Sequence, residues 1–141
     1  VLDLAGEIAG TSRTELEIFL DDGSARRRFD QLVAAQGGNP ADLPRLAEIH
    51  QAPLIREVIA SAGGVVSRVD AGLIGQAALQ LGAGRARATD GVDFAVGFDR
   101  LVKCGEPVHA GQAVCRIHAR TAVDFDMAEA MIEKAVKITS L

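Results

Sequence analysis

The stretch Leu54-Ile55-Arg56-Glu57-Val58-Ile59-Ala60-Ser61-Ala62-Gly63-Gly64-Val65-Val66-Ser67-Arg68-Val69 decides the fold class, because here the chain stops reading as helix. Its apolar residues are largely β-branched and come in two short runs, 54–60 and 65–69, the composition and length of strands. Gly63-Gly64 divides the runs, and residues without a side chain let two backbones meet closely, so the reading is two strands at a tight approach.

Upstream, the first 38 residues read as helices. Leu2, Leu4, Ala5, Ile8 and Ala9 fall near helical spacing before Gly10 breaks the run. Ser12 and Glu15 have the spacing of a capping box. Asp22-Gly23 turns the chain, Ser24 is the expected cap of a third helix, and Gly37-Gly38 ends it. Pro40 and Pro44 mark residues 39–52 as a helix-poor connector. Downstream, Leu73 to Leu81 returns to helix and Gly82 to Gly91 is a loop. Phe94 to Val102, Val108, and Val114 to His118 follow as strands. A closing helix, with Asp124 as its expected cap, carries Met127, Met131, Lys134, Ala135 and Ile138 at helical spacing. The architecture expected is α+β: N-terminal helices (1–38), the connector (39–52), and an antiparallel or mixed, β-hairpin-rich α+β module (53–141).

Composition excludes several functions. The chain has 141 residues, a net charge of −4, 48% hydrophobic and 24% charged residues, the balance of a globular domain rather than a basic nucleic-acid binder or a disordered segment. Aromatics reach 4%, with neither Trp nor Tyr, which argues against stacking platforms for bases. No run approaches the roughly 20 apolar residues that cross a bilayer, and no basic segment precedes an apolar one at the N-terminus. A cytoplasmic chain without nucleic-acid or membrane partners is expected. It opens on Val1 directly into helix-like sequence, which suggests a portion of something longer whose leading helices keep exposed apolar faces.

Spacing discriminates among the candidate sites. Gly82-Ala83-Gly84-Arg85-Ala86-Arg87 offers unencumbered backbone N–H groups and two cations to a phosphate. Arg87 stands where a dinucleotide fingerprint needs its third glycine, however, and a helix precedes the loop where a strand is required. Cys104, His109, Cys115 and His118 lack the usual metal-ligand pairing, and Cys115 and His118 sit three apart on an expected strand, pointing to opposite faces. Two cysteines are too few for a disulfide scaffold. Asp90 and Asp93 flank Gly91 and could pair as acid and base, but two carboxylates in a turn more often bond backbone or face solvent. No nucleophile elbow occurs, and Ser12 and Ser24 serve as caps. The run from Lys103 to Val114, with Gly105-Glu106-Pro107-Val108 and Gly111-Gln112, suits a sharply folded hairpin. Similar turns occur in biotinyl and lipoyl carrier domains, but the Lys between Met residues that those domains modify is not found in it.

Three stretches together resemble the C-terminal part of the thymidine phosphorylase and pyrimidine-nucleoside phosphorylase family. They are Phe29-Asp30-Gln31-Leu32-Val33-Ala34-Ala35-Gln36-Gly37-Gly38-Asn39-Pro40; then Leu81-Gly82-Ala83-Gly84-Arg85 with Asp90, Val92-Asp93 and Ala95-Val96-Gly97; and Gly105-Glu106-Pro107-Val108 through Gly111-Gln112 to Ile117-His118-Ala119. Order and spacing both agree.

The resemblance implies a parent enzyme, homodimeric, in which inorganic phosphate attacks the anomeric carbon of a pyrimidine nucleoside and the base departs. In the family a Lys-His-Ser-Thr-Gly-Gly loop binds phosphate, and Arg, Ser and Lys hold the base. Those motifs and the family's monovalent-cation site belong upstream of Val1. No catalytic, substrate-binding or metal-binding residue therefore carries over to this sequence, and no cofactor is expected beyond phosphate as co-substrate. The implied role of the chain is architectural and inactive alone, with Gly82, Gly84, Arg85 and Arg87 in a loop that abuts the cleft and stabilises its closed form. Two alternatives stay open: a free-standing non-catalytic β-hairpin-rich binding or scaffold module, and the tail of a related nucleotide phosphorylase.

Overall fold

The computed structural model describes residues 1–140, the side chain of Ala47 excepted; Leu141, the last residue of the expected 53–141 module, lies outside the described residues. Two compact units divide the chain, Val1–Ala47 and a second from Glu48 onward. The first holds α1 (Leu2–Ala9), α2 (Arg13–Asp21) and α3 (Ser24–Ala35). Ser12 caps α2 as its spacing predicts: its Oγ accepts from Glu15 N–H, and the Glu15 carboxylate accepts from Ser12 N–H at 3.0 Å. Ser24 is not a cap. Gly23 takes that position, and the Ser24 hydroxyl instead donates to the Phe19 carbonyl. Leu4, Ile8, Phe19, Phe29 and Leu32 all remain exposed. The segment expected to be helix-poor is a 3₁₀ helix, Pro40–Arg45, opened by the Asn39 side chain on Ala41 N–H, followed by a single turn, α4 (Leu46–Ile49). Proline at the first position needs no donor there, and its fixed φ suits a helical start.

The second unit is α+β. Its strands are β1 (Leu54–Ile59), β2 (Gly64–Val69), β3 (Gly97–Asp99), β4 (Pro107–Val108), β5 (Ala113–Ala119) and β6 (Val136–Thr139), with α5 (Ala71–Leu81) and α6 (Ala122–Ala135) between them. They form two three-stranded sheets, ordered β1-β5-β3 and β4-β2-β6, and all recorded pairs are antiparallel. The two runs of the deciding stretch therefore belong to different sheets. The close approach at Gly64 is to β6: a Cβ there would stand 2.3 Å from the Thr139 carbonyl oxygen. The 103–114 run likewise passes the chain from one sheet to the other, because β4 pairs with β2 and β5 with β1 and β3. Glu106 accepts from Lys103 N–H and Gln112 Oε1 accepts from His109 N–H, fastening both turns.

Bulges place the core. Val58 pairs with Cys115 and Ile59 with Ala113, so Val114 is the extra residue of β5, and Val114 and Cys115 are both buried despite being neighbours. On β2 the extra residue is Ser67, whose hydroxyl donates to the Lys137 carbonyl at 3.2 Å. Helix α6 buries Phe125, Ala128, Ile132 and Ala135, the helical stripe, against a cluster that includes Ile117, Val66 and Val108. Each large side chain so buried contributes about 1.5–3 kcal/mol. Thr121 caps α6, with Asp124 completing a capping box, so the capping role expected of Asp124 belongs to the residue three before it. The helix stops at Ala135. Ile138, expected on its apolar stripe, lies on β6 opposite Val66; a β-branched run beside an open strand gains more from pairing than from another helical turn.

Candidate functional site

The loop that follows α5 is tied at its base and at its tip. Asp70 caps the start of α5 by accepting from Leu73 N–H. At the other end Gly82 adopts φ +100°, which favours glycine, and the Gly82 and Ala83 N–H groups close on the Leu79 and Ala78 carbonyls at 3.1 and 3.0 Å. Gly84 is half-buried; a Cβ on it would press within 3.0 Å of Leu79 Cδ1. At the tip, Arg87 N–H donates to Asp90 Oδ2 at 2.7 Å and Asp90 N–H returns to the Arg87 carbonyl at 3.0 Å.

Asp93 closes the base. Its N–H donates to the Gly82 carbonyl at 2.9 Å, tying the two ends of the loop together. Its carboxylate accepts from Ala95 N–H at 3.0 Å and from Arg120 through both Nε (2.6 Å) and Nη2 (2.8 Å). The Arg120 bonds, reinforced by the Ala95 amide, hold the Asp93 carboxyl down to about 2. His50 adds positive field beside it, and its ring stacks at a tilt on Phe94 with centroids 5.5 Å apart.

Of the residues singled out from sequence, Gly82 and Gly84 thus lie half-buried at the loop base, and Arg85 and Arg87 are exposed beyond it. Neither guanidinium forms an ion pair among the described residues, whereas Arg13, Arg26, Arg68, Arg116 and Arg120 do. Two free guanidiniums on an anchored loop are suited to grip a carboxylate or phosphate. The Arg87 amide is already taken by Asp90, so the backbone cradle is partly spent on the loop itself. Asp90 and Asp93 do bond backbone, as turn carboxylates should.

Cys104 is exposed and Cys115 buried. Burial, with the charges of Asp99 and Glu129 behind it, pushes the Cys115 thiol up to about 12, which keeps it protonated and inert. His118 points away from Cys115 and approaches Asp99 Oδ2 at 3.3 Å, where Arg116 also grips Asp99 through two nitrogens. No group of three His, Cys, Asp or Glu side chains among the described residues is arranged to hold a metal ion. No helix among them is long and apolar enough to cross a membrane. Sequence reasoning missed Arg120: it lies 27 residues from Asp93, and no spacing rule links a loop carboxylate to an arginine beyond a later strand.

Residues 65–139 match the family described as pyrimidine nucleoside phosphorylase C-terminal domain, a span that contains the loop, Asp93 and Arg120. Two curated relatives, both thymidine phosphorylases from strains of Burkholderia cenocepacia, are 43% identical over 113 residues and 42% identical over 114. Each alignment covers 79% of this chain and 26% of the relative, so the chain spans about a quarter of the length of the relatives it matches.

Proposed function

This chain belongs to the pyrimidine nucleoside phosphorylase C-terminal domain family, and from that premise we propose that it is the C-terminal portion of a thymidine or pyrimidine-nucleoside phosphorylase. The parent enzyme exchanges the glycosidic bond of a pyrimidine nucleoside for a bond to phosphate, giving free base and pentose 1-phosphate. In this reading the parent is a cytoplasmic homodimer. The groups that bind phosphate and base lie in upstream sequence, and this chain alone is inactive. The observation that carries the proposal is the match over 65–139 together with relatives named thymidine phosphorylase at 43% and 42% identity.

The part proposed for this chain is to supply one wall of the cleft. The loop 82–93 is suited to it: its base is fixed by the Gly82–Asp93 bond, while Arg85 and Arg87 are exposed and form no ion pair among the described residues. Catalysis by phosphorolysis depends on orienting an anion and on keeping water from the reacting carbon. A pre-ordered cationic loop that meets the opposite wall stabilises the closed form at little entropic cost. The test is a thymidine-plus-phosphate assay on the full-length protein, on the 141-residue chain, and on the full-length protein lacking Gly82 to Arg87. Thymine release by the full-length protein, none by the chain, and lower turnover or a higher KM in the deletion are expected. Release by the chain alone refutes the architectural role, and unchanged kinetics in the deletion refute the closure role.

A further inference from the structure

We propose that Arg120 is a positioning residue that holds the 82–93 loop in its working place through Asp93; this rests on the reading of that loop as one wall of the cleft. Arg120 stands between two rigid parts. Behind it β5 ends in Ala119, fully buried, and ahead of it Thr121 caps α6 in a two-way capping box with Asp124. Its backbone is therefore set by the core and by a helix start, not by the loop. From that post its side chain reaches back and takes both oxygens of the Asp93 carboxylate, at 2.6 and 2.8 Å.

Asp93 is where both ends of the loop meet. Its amide binds the carbonyl of Gly82, the residue that caps the end of α5, and its carboxylate binds the Ala95 amide. Without Arg120 those bonds still tie the loop to itself. What Arg120 adds is the connection from the loop to the β5–α6 junction. A planar fork fixes the direction of the carboxylate as well as its distance, and a shift of about an ångström at such a support is enough to spoil a closing surface. The pair is partly exposed, the arginine by half, so it serves placement more than stability.

Trypsin reads the loop directly, since Arg85 and Arg87 are exposed cleavage sites within it. In the full-length protein, Arg120→Gln should speed cleavage at these two sites by roughly fivefold, the upper end for a partly exposed ion pair. Cleavage after Arg45 and Lys103 and the thermal midpoint should stay near their original values. Arg120→Lys should fall between, and Arg68→Gln, which breaks an ion pair elsewhere, should leave loop cleavage unchanged. The same Arg120→Gln protein should show a raised KM with a smaller change in kcat. Loop cleavage unchanged in Arg120→Gln, or raised equally at every site, overturns the proposal. A loosened loop with unchanged kinetics keeps Arg120 as the anchor and removes the closure role instead.

Discussion

Gly64 and Thr139 leave no room between them: a Cβ built on Gly64 meets the Thr139 carbonyl oxygen at 2.3 Å and Ile138 Cγ2 at 2.9 Å. The obstruction is backbone of a paired strand, which cannot rotate aside. Gly64→Ala should therefore destabilise the fold by about 1–3 kcal/mol, lowering the thermal midpoint by roughly 4–8 °C for each kcal/mol in a domain of this size. A midpoint within a degree of the original would show that β2 and β6 separate freely.

Gly75 is the opposite case. It lies inside α5, exposed, with nothing within 4 Å of a Cβ and no positive φ. Alanine there restricts the unfolded chain without touching a neighbour, so Gly75→Ala should stabilise by about 0.4–1 kcal/mol. Urea unfolding checks it, through a higher midpoint at constant slope.

The two thiols should separate cleanly by reactivity. Cys104 is exposed, while burial holds the Cys115 thiol up at about 12, so almost none of it is thiolate at neutral pH. A thiol reagent should modify only Cys104 in the native protein and both residues in denaturant, as mass mapping of the labelled peptides will show. Fast native labelling of Cys115 would mean that β5 opens readily.

The Asp93 carboxyl is lowered in the fold, from its usual 3.8 to about 2, chiefly by the Arg120 bonds. A lowered acid favours the folded loop above the unfolded value, and that contribution is lost as pH falls from 3.8 through about 2. The carboxyl carbon shift of Asp93, followed by NMR, should titrate near pH 2, and should move up toward 3.8 in Arg120→Gln. An unmoved midpoint would assign the effect to the Ala95 amide.

Thr121→Ala removes the hydroxyl that accepts from Asp124 N–H at 3.2 Å and donates to the Asp124 carboxylate at 2.8 Å. A lost cap of this type costs about 0.5–2 kcal/mol. Thr121→Ser keeps the oxygen and should recover most of it, read by thermal unfolding.

Local signals were legible where a local rule governs them. Ser12 and Glu15 formed the capping box their spacing announced, and the opposed faces of Cys115 and His118 followed from strand alternation. Partial readings failed by small steps where neighbours competed for one role. Gly23 displaced Ser24 at the start of α3, and Thr121 displaced Asp124 at the start of α6. The free cations at Arg85 and Arg87 were visible as residues, but the anchoring that makes them a surface was not, because β3, β4 and β5 separate Arg120 from Asp93 along the chain and only the folded sheets bring the two together.

By itself the sequence determined the helical lead, the change to strands at Leu54, the glycine-marked loop after α5 and the family to which the order of these motifs points. Such features depend on neighbours within a few residues, where propensity, capping and turn chemistry act. Tertiary structure alone decided that β1 and β2 serve different sheets, that Ile138 leaves the helix for β6, and that Arg120 holds Asp93. Those outcomes depend on which distant backbones and charges meet once the core around Ile117 and Ile132 has closed, and no spacing along the chain encodes that meeting.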